Sequence, residues 1–278
     1  MQLAAGQSVG GLLPFGTNGS TVPTVQGGGG QNNPYLEPIT SKNFDISQEW
    51  YFGKLGSLTG MIFYKRLNNV INNVTSFVDT TATNNGVTYP EQLVTGLANV
   101  KQESALTGAE VAYQQQFSFL PGWLSGFGVT ANYTYIHQHG FGFGSPNFCP
   151  ATYAAATQCI NQLTLPPIEL SRDNANFTLF YATPKISARL GYNWRSAFLI
   201  TGFEADYPFV PVMSGPQGQL DGSFIYTINK HLKVAVQAAN ILDSTFKSRE
   251  IINTSGLQVP KGFFRDDIRL NIGLRATF

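Results

Sequence analysis

The sequence predicts an all-β fold, namely an antiparallel transmembrane β-barrel segment of about nine strands that is an incomplete fragment of its barrel. Three observations carry this prediction. Segments of about 10 to 14 residues alternate apolar and polar side chains, which is the period of a strand with two different faces. Short and long connections alternate between these segments. Charged residues make up 12% of the chain, about half the usual share, whereas aromatic residues reach 13%.

The composition excludes two other classes of protein. A helical membrane protein needs about 20 consecutive apolar residues for each span, and no run in this sequence approaches that length. The net charge of +1 argues against a nucleic-acid partner, because nucleic-acid-binding domains usually carry a strongly basic face.

Residues 1–8 lack the basic region and apolar core of a signal peptide, so we expect the exported protein to begin upstream of this segment.

The chain divides into a loop-like beginning and a strand-rich remainder. Residues 1–40 are rich in Gly, Pro, Ser, Thr and Asn, which predicts an extracellular loop and the remnant of an upstream strand. Residues 41–278 are predicted to form the barrel portion. The nine expected strands cover residues 42–52, 57–67, 104–117, 127–137, 173–182, 185–196, 218–228, 231–242 and 264–278. A tilted strand needs about 9 to 11 residues to cross a membrane, whereas strands of soluble sandwiches are usually shorter.

The connections between these strands alternate strictly in length. Short turns are expected at residues 53–56, 118–124, 183–184 and 229–230, and long loops at residues 68–103, 138–172, 197–217 and 243–262. Short periplasmic turns and long external loops are typical of an outer-membrane barrel. Bacterial single-chain barrels have an even number of strands, so the odd count again indicates that part of the barrel is missing.

The segment 185–196 shows the two predicted faces most clearly. Leu190 and Trp194 alternate with Arg189 and Arg195, so we expect the apolar side chains to face lipid and the polar ones to face the lumen. An Arg on the lipid face would cost about 2–4 kcal/mol at mid-membrane. The segment 57–67 carries apolar side chains on both faces, and its orientation stays open at this point.

Six short motifs follow one another along the chain. They are NPYLEPITSKNFD at 33–45, GSLTGMIFYK at 56–65, GAEVAYQQ at 108–115, ANYTY at 131–135, LDGS at 220–223 and ANILD at 239–243. Their order and spacing resemble the C-terminal part of the barrel of TonB-dependent outer-membrane receptors, with Ile39 standing where that family often has Glu. The final GLRATF is similar to the signal, ending here at Phe278, that the barrel-assembly machinery reads.

The resemblance implies a receptor in the outer membrane of a bacterial cell. The resemblance also implies a barrel of about 22 strands with a plugged lumen. The plug and the TonB box lie upstream in the family. Import energised by TonB is implied for a large scarce nutrient: a ferric siderophore, an oligosaccharide or cobalamin. The expected partners are outer-membrane lipid, the transported ligand, the TonB complex through the N-terminal region and the barrel-assembly machinery. We expect no nucleic-acid partner, no enzymatic activity, no metal and no cofactor.

Two groups of residues are candidates for specific chemistry. Cys149 and Cys159 are the only cysteines, and the oxidising cell surface predicts a disulfide that would stabilise its loop by about 2–3 kcal/mol. A zinc site would need more ligands than this pair supplies. Possible ligand-contacting loop residues are His137, His139, Phe141, Phe143, Arg172 and Tyr207. Chance spacing of the histidines, loop-on-loop packing of the rings and a local ion pair of the arginine remain alternatives.

Three other functions stay open as rivals. A passive porin-type channel would need a closed barrel without a plug. An outer-membrane protease or lipase would need catalytic residues near the outer rim, and the GQSVG match at 6–10 to a nucleophile elbow lacks the strand-to-helix turn that this motif requires. A soluble adhesive β-domain would have to fold without detergent.

Overall fold

The computed structural model describes residues 25–278 apart from 54, 80–82, 85–86, 89–90, 100–102, 142, 145–163, 203–209, 254 and 278. The side chains of 25–31, 72–95, 143–144 and 164 are also not described. Within these bounds the chain is β-structure with one short 3-10 helix at Gly122–Gly126. No helix in the described ranges has the length and hydropathy to span a membrane.

The described residues contain one large antiparallel sheet of nine strands. With strands numbered in chain order, it is formed by β2 (Thr40–Phe52), β3 (Gly56–Asn68), β8 (Ser104–Gln116), β9 (Phe127–His139), β12 (Asp173–Ala182), β13 (Ile186–Arg195), β16 (Gln217–Asn229), β17 (Leu232–Ala239) and β20 (Arg269–Ala276). Each of these strands pairs with the next one in this order, so the sheet is an up-and-down meander. The predicted nine-stranded barrel segment is confirmed, and β2 and β20 are its open edges.

Segments predicted as loops contain further strands. These are β4 (Ile71–Asp79), β5 (Thr83–Asn84), β6 (Val87–Thr88), β7 (Glu91–Asn99), β10 (Phe143–Gly144), β11 (Thr164–Leu165), β14 (Phe198–Thr201), β15 (Val212–Ser214), β18 (Thr245–Ile251) and β19 (Gln258–Arg265). The loop prediction is wrong here because hairpin arms keep pairing through their backbones beyond the membrane, where no lipid face imposes an alternating pattern. In addition, β1 (Val25–Gln31) lies within residues 1–40, the segment for which a strand remnant was predicted.

The last predicted strand is divided in two. Residues 264 and 265 end β19, and β20 begins only at Arg269.

Four strands in the outer region pair in the order β14-β15-β18-β19, which repeats the order β13-β16-β17-β20 in the large sheet. Residues 196–197, 215–216, 240–244 and 266–268 separate the two sheets, and we call this line of breaks the crease.

Cross-strand register assigns the two faces of the large sheet. One row of directly paired residues consists of Trp50, Leu58, Tyr113, Ala131, Phe177, Tyr192 and Leu220. The adjacent row on the other face consists of Ser57, Gln114, Thr130, Thr178, Gly191 and Asp221. The first face is therefore apolar and the second polar, as predicted. Leu58, Ile62 and Tyr64 of β3 lie on the apolar face, which settles the open orientation of that strand.

Aromatic rings collect at the short-turn end of the sheet. The ring centroids of Phe52 and Tyr113 are 6.1 Å apart. Those of Trp123 and Phe127 are 5.8 Å apart, and Phe127 lies 4.7 Å from Tyr181. Amphipathic rings prefer the boundary between hydrocarbon and water, so this cluster has the composition of an interfacial girdle.

The buried apolar core of the described residues lies in the outer region. Leu165, Leu199 and Ile251 form one buried cluster, and Met213 packs against it. These residues come from β11, β14, β18 and β15. The large sheet instead exposes both of its faces, because one contacts lipid and the other contacts the lumen.

Candidate functional site

An open cleft of about 900 Å³ lies on the lumenal side of the crease. The lumenal faces of β12, β13 and β16 form one wall, and β18 with Phe264 of β19 forms the other. The cleft therefore lies at the long-loop end of the sheet. A solute entering from outside the cell meets this end first when the short turns are periplasmic.

Amide side chains dominate the wall that belongs to the large sheet. The amide residues of the cleft are Asn174, Asn176, Asn193, Gln217, Gln219 and Asn240. The Asn176 amide donates to Asn132 Oδ1 at 2.7 Å, and the Gln219 amide donates to Asp221 Oδ1 at 2.9 Å. An amide offers donors and an acceptor together, so it can bond hydroxyl, carbonyl and carboxylate groups of a solute.

Arg195 is fixed in place at the top of β13. Its Nε donates to Ser171 Oγ at 2.8 Å and its Nη2 to the Glu169 carbonyl at 2.9 Å. The guanidinium lies over the Phe198 ring, 3.8 Å from its centroid. The arginine is therefore held as an oriented cation and gives up little side-chain entropy when it binds an anionic group.

Two further cations reach the cleft from the outer sheet. Lys247 and Arg249 lie two residues apart in β18 and line the cleft together with Asp266. With Arg195 the lining carries three cations against this one carboxylate. The cleft is thus electropositive, which raises the local concentration of anionic solutes.

Asn240, one of the residues that line the cleft, connects the segments of the crease. It is 6% exposed and adopts a left-handed backbone with φ of 56°. Its backbone N–H donates to Asp221 Oδ1 at 2.9 Å, and its side-chain amide donates to the Asp266 carbonyl at 2.7 Å. Its side-chain oxygen accepts the Ser244 N–H at 2.9 Å. One residue therefore joins β16, the turn after β17 and the connection before β20.

The family of TonB-dependent receptors matches this chain directly. The family model described as "TonB dependent receptor-like, beta-barrel" matches residues 5–241. The chain belongs to that family. Its members reside in the bacterial outer membrane, so this protein is an outer-membrane β-barrel protein. The comparison with curated proteins gives no match.

Solved structures of receptors share the fold at low identity. A point mutant of the ferric enterobactin receptor from Pseudomonas aeruginosa is 16% identical with a TM-score of 0.54, covering 87% of this chain and 32% of that one. The siderophore receptor PirA from Acinetobacter baumannii is 14% identical with a TM-score of 0.53, covering 91% and 33%. The FrpB iron transporter from Neisseria meningitidis is 12% identical with a TM-score of 0.52, covering 90% and 33%. The chain thus spans about a third of these structures.

The two candidate histidines of this TonB-dependent receptor segment lie outside the cleft. His137 and His139 are exposed and share the outward face of β9 with Tyr133 and Tyr135. Arg172 is also exposed and donates from Nε to Asp173 Oδ2 at 2.8 Å. This hydrogen bond, followed by the charge of Asp173, raises the pKa of the guanidinium. The structure does not bring these three residues to the cleft.

The remaining candidates are only partly described. Phe141 is 8% exposed, and Phe143 belongs to β10 through its backbone. Tyr207, Cys149, Cys159 and Phe278 lie outside the described residues. The disulfide, the ligand contacts and the C-terminal signal therefore stay predictions.

Most residues of the cleft were not predicted from the sequence. Lys247 and Arg249 fall in a segment predicted as an external loop, and Asn240 was noticed only as part of a family motif. The spacing of Lys247 and Arg249 by two residues was an available signal, because it places both on one face of a strand. Nothing in the local sequence connects that face to Arg195.

Proposed function

We propose that this chain forms the C-terminal barrel portion of a TonB-dependent receptor that imports a large scarce nutrient with energy supplied through TonB. The candidate ligands are a ferric siderophore, an oligosaccharide and cobalamin. The single observation that carries the proposal is the cleft on the lumenal side of the crease, where the oriented Arg195, two further cations and several amides face the entrance to the barrel. The family membership supports the dependence on TonB.

The lining of the cleft supports a ligand rich in oxygen atoms. Arg195, fixed by Ser171 and Glu169, can bind a carboxylate, catecholate or phosphate oxygen in two-point fashion. The neighbouring amides can bond hydroxyl or carbonyl oxygens around it. Such groups occur in all three ligand classes, so the experiment has to separate them.

The test uses the intact receptor in cells with and without a functional TonB. Uptake is measured for labelled ferric enterobactin, maltoheptaose and cyanocobalamin. The proposal predicts that one of them is taken up only when TonB is present. Uptake that is unchanged without TonB would indicate a passive channel and contradict the proposal.

A pair of variants then tests the cleft itself. Arg195→Gln together with Arg249→Gln should weaken binding of the transported ligand by about tenfold or more, because charge-assisted hydrogen bonds to it are lost. The matched control is Lys233→Gln with Arg275→Gln, which removes two lumenal cations near the opposite end of the wall. Equal loss in both double variants would contradict a role of the cleft.

A further inference from the structure

Cross-strand register aligns amide side chains in a row on the lumenal face of the large sheet. Four directly paired residues on the adjacent strands β9, β12, β13 and β16 each carry an amide, and we call them the amide row: Asn132, Asn176, Asn193 and Gln219. Neighbouring strands are about 4.8 Å apart, so the amide row spans roughly 14 Å. An amide therefore recurs at a constant interval along a line perpendicular to the strands.

The amide row is accessible to a solute in the cleft. Asn176, Asn193 and Gln219 are exposed, and all three line the cleft. Asn176 donates to Asn132, and Gln219 donates to both carboxylate oxygens of Asp221, so neighbouring side chains hold these two amides in place. Among the residues that the structure describes, the Asn193 side chain has no hydrogen-bond partner. Its donors and its acceptor are therefore available to a solute.

Arg195 places a positive charge next to the middle of the amide row. It lies two residues after Asn193 on the same face of β13, about 7 Å further along the strand. Its direct cross-strand partners are Asn174 and Gln217, so amides flank the guanidinium on both sides. Such a cation can bind a carboxylate while the surrounding amides bond hydroxyl groups of the same molecule.

We propose that the amide row binds consecutive rings of a linear acidic oligosaccharide, with Arg195 bound to a ring carboxylate. The inference rests on the proposed import function and names its substrate class. The interval between strands is close to the length of one sugar ring in an extended chain, so each strand can bond the hydroxyls of one ring. A compact ligand would contact only part of a row this long. The three cations and one carboxylate of the cleft favour an acidic chain over a neutral one.

The first test measures how affinity depends on chain length. Oligogalacturonates and oligomannuronates of one, two, four and six rings are titrated into the intact receptor in detergent. In one of the two series the affinity should rise up to four rings, because each added ring reaches another strand, and six rings should add little. The methyl ester of the same tetramer should bind about tenfold more weakly, because it lacks the charge that Arg195 binds. An affinity that is independent of length in both series overturns the proposal.

Single substitutions test the residues themselves. Asn193→Ala should weaken binding of the tetramer by about three- to tenfold, because hydrogen bonds to one ring are lost. Arg195→Gln should bind the tetramer and its methyl ester equally. The matched control is Asn271→Ala, which removes an exposed lumenal amide of β20 outside the amide row and should bind the tetramer as the wild type does. A heat-dependent shift on electrophoresis verifies that each variant is a folded barrel. Equal binding by Asn193→Ala and the wild type overturns the proposal.

This inference and the proposed function can fail separately. A receptor that imports ferric enterobactin or cyanocobalamin only with TonB, and binds neither oligosaccharide series, keeps the proposed function and overturns the inference. A receptor that binds the tetramer through Asn193, but takes it up equally without TonB, supports the inference and contradicts energised import.

Discussion

Asn240 shows how much a single residue contributes to the crease. Its side chain and backbone together make hydrogen bonds with Asp221, Ser244 and Asp266, and the residue is almost fully buried. Its positive φ is a conformation that Asn tolerates better than other non-glycine residues. The ANILD motif therefore has a structural explanation, since it supplies both the turn and the side chain that fills it.

Substitution of Asn240 separates these two contributions. Asn240→Gly keeps the backbone conformation and should lower the free energy of unfolding by about 1–3 kcal/mol, because buried partners lose their hydrogen bonds. Asn240→Ala should lower the free energy of unfolding by about 1–2 kcal/mol more than the glycine variant, because alanine, unlike glycine, has a Cβ that is strained at positive φ. The free energy of unfolding in urea, measured on the intact barrel in lipid vesicles, checks this order. Equal values for the two variants would contradict the role of the backbone.

Asp243 and Arg265 should make the outer sheet sensitive to acid. Arg265 donates two hydrogen bonds to the carboxylate, one of them from Nε at 2.9 Å. These bonds, and then the positive charge, hold the pKa of Asp243 below its usual range. The pair therefore stabilises the folded state fully above about pH 4, the ordinary range of an aspartate, and this contribution is lost as pH falls through the lowered pKa.

Hydrogen exchange of the β18 and β19 amides measures this dependence. In the wild type, protection corrected for the intrinsic exchange rate should fall as the solution is acidified. Asp243→Asn should flatten the profile, and Arg265→Gln should flatten it in the same way, because the arginine causes the pKa shift. A profile in either variant that is as steep as in the wild type would contradict the prediction.

At the level of the strands, glycines make room for lumenal aromatic rings. A Cβ at Gly108 would lie 2.3 Å from the Phe63 ring and 2.3 Å from the Tyr135 carbonyl oxygen. A Cβ at Gly128 would lie 2.2 Å from the Phe180 ring. A Cβ at Gly60 would have no neighbour within 4 Å. Two of these glycines are thus required by close packing, and the third is not.

Alanine substitution should distinguish these glycines. Gly108→Ala should destabilise the barrel by about 1–3 kcal/mol, because the ring and the neighbouring strand have to move apart. Gly60→Ala is the matched control and should change stability by less than about 0.5 kcal/mol. The stability of each variant is measured as the temperature at which the folded band is lost on electrophoresis. Equal shifts in the two variants would contradict the packing argument.

Charge substitution tests the facing of the strands. Leu190→Arg places a cation among Leu179 and Gly222 on the lipid side and should cost about 2–4 kcal/mol. Ser187→Arg introduces the same charge into the same strand on the lumenal side and should be tolerated. The yield of folded protein in the outer membrane checks the pair. Equal yields would mean that the face opposite the cleft does not contact lipid.

At the scale of the whole molecule, the two open edges of the large sheet decide whether this segment can fold alone. β2 and β20 each have one neighbour in the described sheet, so among the described residues no strand pairs with the backbone N–H and C=O groups of their other sides. Such groups are costly in hydrocarbon, and only a closed barrel satisfies them. We therefore expect residues 1–278 alone to aggregate, with no heat-dependent shift in detergent, whereas the intact receptor shows one. A folded monomer of this segment would contradict the expectation.

The sequence predicted the strands well because alternation is a local property. Each residue of a strand such as 185–196 faces either lipid or lumen, so its neighbours along the chain already reveal the two environments. The alternation of short and long connections favoured an outer-membrane barrel over a soluble sandwich. The alternation did not predict β18 and β19, because apolar and polar side chains do not alternate regularly across the segment that contains them.

By itself the sequence determined the fold class, the nine membrane strands and the apolar and polar faces of most of them. Only the tertiary structure decided the orientation of β3, the position of the crease, the placement of Arg195, Lys247 and Arg249 along one cleft, and the cross-strand pairing of Lys42 with Arg66. The reason is physical. The face of the sheet on which a side chain lies follows from the alternation of its neighbours along the chain. A cleft or a cross-strand pair instead depends on the register between strands that are far apart in the chain.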